Sequence, residues 1–135
     1  MSDIVYKILL ADDNPVNLDL TARLLKKRGH EIATAENGQE AVNCFLKSTF
    51  DVILMDLEMP VMNGIEAAQQ IRAKEKASSI DTPSYTPIIA MTAHDEENEK
   101  TACQVVGMDG FITKPIDIKT INQTIQEIIK NSPSK

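Results

Sequence analysis

Three runs of four apolar residues punctuate the chain: Ile8-Leu9-Leu10-Ala11, Val52-Ile53-Leu54-Met55 and Ile88-Ile89-Ala90-Met91. Unbroken runs of this length suit parallel strands buried on both faces. Ile32-Ala33-Thr34-Ala35 is less apolar and predicts an edge strand, and Gly110-Phe111-Ile112-Thr113 predicts a weaker fifth strand. Between these runs the apolar spacing becomes helical. Val16, Leu20 and Leu24 form one predicted stripe, and Ala41, Val42, Phe45 and Leu46 a second. Ile65, Ala68 and Ile71 form a third, and Ala102, Val105 and Val106 a fourth. Ile118, Ile121, Ile125, Ile128 and Ile129 form the fifth. Boundary residues agree with this division. Asn14-Pro15 reads as an N-cap followed by proline at the first helical position. Gly29 and Gly107 stand where helix C-termini need a left-handed residue. Asp95, Glu96 and Glu97 put negative charge in a first helical turn, where the helix dipole favours it.

A strand followed by a helix, five times over, predicts an α/β fold: a parallel sheet with helices on both faces and right-handed crossovers. The common order for five such strands is 2-1-3-4-5. The 135 residues fit a single domain, with an ordered core over about 4–130 and a frayed tail over 131–135. The connection 77–86 is longer than usual, which predicts an insertion or a longer helix.

Composition narrows the function classes. With 42% hydrophobic and 25% charged residues, the chain is neither disordered nor collagen-like. No apolar run approaches the ~20 residues that span a bilayer, and Met1–Lys7 lacks a secretory pattern. The expectation is a cytoplasmic domain without membrane contact of its own, whether or not a parent protein is anchored. A net charge of −6 argues against nucleic-acid binding. Cys44 and Cys103 lie far apart and read as small apolar residues of helices in a reducing compartment. His30, beside Gly29 in a turn, receives no functional assignment.

The polar residues after the strands carry the chemistry. In such sheets ligands bind beyond the strands' carboxyl ends, where the strand order reverses, here between strands 1 and 3. Strand 1 ends in Asp12-Asp13, strand 3 in Asp56, strand 4 in Thr92, and strand 5 in Lys114-Pro115. Taken singly, each has an ordinary reading: Asp12, Asp13 or Thr92 as helix caps, Asp56 as a turn residue, Lys114 as a solvated lysine. Capping, however, does not require acids after both strands that flank the switch point. Crowded carboxylates repel, and a divalent cation relieves them. An all-oxygen set suits Mg²⁺ and argues against zinc. A metal, an ammonium and a hydroxyl would together cradle a phosphoryl group, for which positioning and charge neutralisation are most of catalysis. A carboxylate in that cradle can act as the nucleophile.

These residues resemble a known family. Asp12-Asp13-Asn14, the run from Met55 to Gly64 with Met59-Pro60 inside it, Met91-Thr92-Ala93, and Lys114-Pro115 are similar to the motifs of receiver domains of two-component response regulators. The wording around Ala11–Asn17 and Ile88–His94 is most like receivers of hybrid sensor histidine kinases. The resemblance implies a flavodoxin-like (βα)5 fold with Asp56 as phosphoacceptor. It implies Asp13 as a direct Mg²⁺ ligand, Asp12 acting nearby, and the Glu58 carbonyl as a further ligand, with Mn²⁺ able to substitute. Thr92 and Lys114 would contact the phosphoryl group, Phe111 would be the switch aromatic, and Pro115 would follow a cis bond. Glu58 and His94 would flank the phosphoryl group and set its lifetime. The implied partners are a histidine kinase or a histidine phosphotransfer protein, with the domain a monomer or weak dimer. Other readings are a stand-alone regulator, an aspartyl-nucleophile hydrolase and a phosphorylation-independent interaction module. A dinucleotide or flavin binder is disfavoured, because no GxGxxG follows a strand.

Overall fold

The structure, a computed structural model, describes residues 5–78, 86–92, 97–113 and 117–130. Strands and helices alternate along it: β1 (Lys7–Ala11), α1 (Pro15–Lys27), β2 (Glu31–Ala35), α2 (Gly38–Lys47), β3 (Val52–Asp56), α3 (Gly64–Ser78), β4 (Ile88–Thr92), α4 (Glu97–Val105), β5 (Gly110–Thr113) and α5 (Ile118–Lys130). The strands pair in parallel in the order β2-β1-β3-β4-β5, as expected from the alternation. Every residue of β3 and β4 is buried, whereas β2 is only partly so, in keeping with a central pair and an edge.

Side chains alternate across the sheet and build two cores. On one face Ile8, Leu10, Leu54 and Met91 meet Leu18 and Leu25 of α1 and Ile121 and Ile125 of α5. On the other face Leu9, Ile53, Met55 and Ala90 meet Val42 of α2, Ala68 and Ile71 of α3 and Cys103 of α4. Both cysteines are free thiols associated with this second core.

Two helices are turned differently from the predicted stripes. In α1 the buried side chains are Leu18, Thr21, Ala22 and Leu25, while Val16 is 73% and Leu20 55% exposed and Leu24 is half-buried. The start of α1 is set by Asn14, whose side chain accepts from Val16 N and Asn17 N at 3.0 and 3.1 Å. From that start, the 18-21-22-25 stripe faces the sheet and the 16-20 stripe falls on the opposite side. Among the described side chains of α4, Cys103 is the buried one; Ala102 is exposed and Val105 is 80% exposed, whereas Val106, just past the helix, packs on the second core as the stripe predicted. Leu46 of α2 is also exposed, although Ala41 and Val42 are buried as expected.

The glycine expectations hold: Gly29 and Gly107 have φ of 94° and 88°. The 77–86 connection is partly helix, since α3 runs to Ser78, and the remainder up to residue 85 lies outside the described residues. So do Asp95 and Glu96. His30 is buried rather than sitting in an open turn. Its Nδ1 accepts from Tyr6 N at 3.1 Å, which leaves Nε2 to donate to Asn122 Oδ1 at 3.0 Å. The ring therefore joins the entry to β1, the turn before β2, and α5.

Candidate functional site

Register brings the acids together. β1 and β3 pair with Ala11 opposite Met55, so the next residue on each chain, Asp12 and Asp56, emerge side by side. Both are buried, at 4% and 3% exposed, and Asp13 is exposed beside them. One carboxylate oxygen from each of Asp12, Asp13 and Asp56 lies within 4.8 Å of the others. Three like charges this close repel, and burial of two of them strengthens the repulsion. Backbone N–H groups offset part of it. Asn14 N donates to Asp12 Oδ1 at 3.0 Å, and Glu58 N donates to Asp56 Oδ1 at 3.2 Å.

The loop after β3 is held from several sides. Leu57 N donates to Met91 O at 3.0 Å, and Gly64 N to Leu57 O at 3.1 Å. A Cβ at Gly64 would stand 2.3 Å from Asp56 O, so only glycine lets α3 start this close to the acid's backbone. Asn63 and Glu66 then form a reciprocal cap: Glu66 N donates to Asn63 Oδ1 at 2.9 Å, and Asn63 N to Glu66 Oε1 at 3.1 Å.

Thr92 ends β4, is 1% exposed, and follows Met91, which pairs with Asp56. Phe111 pairs with Ala90 on β5, so alternation puts Thr92 and Phe111 on the same face of the sheet. Phe111 is half-buried, and the Lys100 ammonium of α4 lies 5.5 Å from its ring centroid. Glu58 is exposed next to the acids. Lys114, Pro115 and His94 lie outside the described residues.

Two features had no signal in the local sequence. Arg72 of α3 ties distant backbone together. Its Nε and Nη2 donate to Gly107 O at 3.0 and 2.8 Å, and Nη2 also to Asp109 Oδ2 at 3.0 Å. Its Nη1 donates to Glu75 Oε1 at 2.7 Å and Thr86 O at 2.9 Å. Three of these partner residues lie 14, 35 and 37 positions away, beyond any periodicity window. The second feature is Gly38, which packs on the loop after β3.

The donor set fits a hard divalent cation. It consists of carboxylate oxygens alone, which suits Mg²⁺ or Mn²⁺ rather than a metal that prefers sulfur or imidazole. Residues 8–126 match the family model of the response regulator receiver domain. The chain belongs to this family. The receiver is 43% identical over 135 residues to hybrid signal transduction histidine kinase B of Dictyostelium discoideum, covering 96% of this chain and 7% of that protein. It is 41% identical over 125 residues to sensor protein GacS of Pseudomonas syringae pv. syringae, covering 93% of this chain and 14% of that protein. It thus spans a small part of these curated relatives. Among solved structures it is similar to the receiver domain of sensor histidine kinase PA1611 from Pseudomonas aeruginosa PAO1, which has a magnesium ion coordinated in its active site cleft. There the TM-score is 0.81 and the identity 30%, over 95% of this chain and 100% of that one. The flavodoxin-like fold expected from the motifs is therefore the observed one. Among the described residues, no helix is long and apolar enough to cross a membrane.

Proposed function

We propose that this receiver accepts a phosphoryl group on Asp56 from a phosphohistidine donor in a Mg²⁺-dependent reaction. The observation that carries this reading is the convergence of Asp12, Asp13 and Asp56 within 4.8 Å at the switch point of the sheet. The carboxylates of Asp12, Asp13 and Asp56, with the Glu58 carbonyl, would hold the ion. When bound, Mg²⁺ would neutralise the acids and the charge on the transferring phosphoryl oxygens. A carboxylate oxygen of Asp56 attacks phosphorus, the P–O bond forms, and the P–N bond to the donor imidazole breaks. The imidazole leaves with the bonding pair and takes up a proton. The Glu58 N–H, donating to Asp56 Oδ1, helps to orient the Asp56 carboxylate. Lys114 would neutralise a phosphoryl oxygen, and the Thr92 hydroxyl would donate to another. Glu58 and His94 would govern how readily water reaches the acyl phosphate.

Phosphorylation adds charge and acceptor oxygens at this edge. Thr92 and Phe111 share a sheet face, which supports a relay from the phosphoryl group to the surface of α4, β5 and α5. The relatives support a place within a hybrid histidine kinase. A histidine phosphotransfer protein is the partner this reading favours. One similar structure, at a TM-score of 0.83 and 33% identity over 93% of this chain and 90% of that one, is the co-crystal structure of the Saccharomyces cerevisiae histidine phosphotransfer signaling protein Ypd1 with the receiver domain of its downstream response regulator Ssk1. The receiver itself would act as a monomer or weak dimer.

The test is intact mass after incubation with acetyl phosphate, with and without Mg²⁺, in the parent and in Asp56→Asn. A single Mg²⁺-dependent, base-labile phosphoryl adduct that is absent from the variant is the expected result. An adduct that persists in Asp56→Asn would refute the assignment. No adduct and no Mg²⁺ binding would point instead to a phosphorylation-independent interaction module.

A further inference from the structure

Helix α2 begins against the loop that leaves the site. Gly38 N donates to Met62 O at 2.8 Å. A Cβ at Gly38 would stand 2.2 Å from Met62 O, 2.8 Å from Met62 C and 3.0 Å from Asn63 O. All three are backbone atoms, so no side-chain rotation makes room. Gly38 is not in the left-handed region, so it is the close approach that requires glycine here.

The loop needs holding. Met62 N donates back to Pro60 O at 2.6 Å, closing a three-residue turn around Val61, whose φ is 67°. A β-branched residue is strained there and persists only where the surroundings over-determine it. One end of the loop is pinned where Gly64 meets Asp56 O. The other hold is Gly38, on the same Met62 whose N–H closes the strained turn. Between the two holds stand Glu58 and its N–H bond to Asp56 Oδ1.

We propose that Gly38 is a positioning residue for the divalent-cation site. Its bare Cα and its N–H seat the Met62 carbonyl, and so keep loop 57–63 where Asp56 and the Glu58 carbonyl can serve one ion. This rests on the reading of Asp56 and Glu58 given above. Gly38 itself would touch neither ion nor phosphoryl group. Mg²⁺ tolerates little departure from octahedral geometry, so a small displacement of the loop should be felt in affinity.

The test is Gly38→Ala, with Mg²⁺ affinity measured directly by calorimetric titration alongside the melting temperature and the phosphorylation rate from acetyl phosphate. Supporting residues of a metal site typically change affinity 10–100-fold, so a loss of about tenfold is expected. The phosphorylation rate should fall at low Mg²⁺ and recover at saturating Mg²⁺. Leu25→Ala, in the core on the other face of the sheet, should lower the melting temperature and leave Mg²⁺ affinity unchanged. Gly38→Ala binding Mg²⁺ as the parent does would overturn the proposal. So would Leu25→Ala losing as much affinity as Gly38→Ala. Should Gly38→Ala fail to fold, a Mg²⁺ titration of the unaltered protein by NMR decides. The Gly38 and Met62 amides should shift along the same binding curve as the Glu58 amide, and unmoved amides at 38 and 62 would overturn the proposal. A parent chain that binds no Mg²⁺ would instead overturn the metal reading, and this inference with it.

Discussion

Asp13→Asn removes one of three converging charges while keeping the side chain's shape, and its effect on stability should change sign with Mg²⁺. With facing oxygens within 4.8 Å, each carboxylate pair repels by about 0.9 kcal/mol in water and about 3.5 kcal/mol at an effective dielectric of 20. Asp13 is exposed, so its pairs belong near the aqueous end of that range. Asp12 and Asp13 remain chain neighbours in the unfolded state, so only the pair with Asp56 counts in full. That leaves about 1 kcal/mol of repulsion relieved in the metal-free protein. A 135-residue domain unfolds with an entropy of about 0.28 kcal/mol/K, so the melting temperature should rise by about 3–4 °C. Added salt should narrow the gap by screening the pair.

Mg²⁺ should invert the order. A ligand at a hundred times its dissociation constant stabilises by about 2.7 kcal/mol, equivalent to about 9–10 °C here. The parent would gain this, and Asp13→Asn, with a ligand removed, would gain much less. Thermal unfolding followed by far-ultraviolet circular dichroism, once in EDTA and once in saturating Mg²⁺, checks both limbs. An Asp13→Asn protein less stable than the parent in EDTA would refute the repulsion argument. Equal Mg²⁺-induced shifts in the two proteins would refute Asp13 as a ligand.

Other consequences are as direct. Arg72→Met leaves Glu75 buried without its guanidinium and should cost about 3 kcal/mol in urea unfolding; adding Glu75→Gln should restore part of it, and a loss below 1 kcal/mol would mean the network carries little. Gly64→Ala forces a methyl group onto Asp56 O and should cost about 1–3 kcal/mol in thermal melts while also lowering phosphorylation measured by mass. Burial first, and then the nearby charge of Asp51, raises the Tyr6 hydroxyl above the ordinary tyrosine value. The neutral phenol's contribution is complete below the unfolded pKa of about 10 and is lost as pH climbs through the higher folded value. The parent's unfolding free energy should therefore fall more steeply above pH 10 than that of Tyr6→Phe, and parallel profiles would exclude the effect.

The strands and the acids were legible for one reason. At Ala11 and Met55 an apolar run stops and a carboxylate begins, and a strand buried on both faces leaves no doubt about where it ends. Pairing two such strands in parallel then delivers Asp12 to Asp56 without further information. Helix faces were less legible because apolar residues occupy both sides. Val16 and Leu20 match a helical period as well as Leu18 and Leu25 do, and only the capped start of α1 selects between them. The stripe drawn through Ala102, Val105 and Val106 caught only Val106 and missed Cys103 for the same reason, since a cysteine scores as a weak apolar residue and yet is the buried one among the described side chains of α4. His30 looked like a turn residue because its partners, Tyr6 and Asn122, lie 24 and 92 positions away.

The two residues that escaped the sequence reading, Arg72 and Gly38, act largely on backbone. Arg72 binds carbonyls of Thr86 and Gly107 as well as two carboxylates, and Gly38, like Gly64 of the motif run, is defined by the carbonyls a side chain would strike. A carbonyl is the same group in every residue, so no partner identity marks such a contact in the sequence. The acids, by contrast, announce their chemistry by type. This separates two ways of damaging the site. Changing an acid alters charge and leaves the loops in place, so its effect should depend on salt and Mg²⁺. Changing a glycine moves the loop and leaves the charge, so its effect on melting temperature should persist in high salt, where screening has removed the electrostatic part. The salt dependence of Asp13→Asn set beside that of Gly64→Ala would therefore distinguish charge from position as the quantity each residue controls.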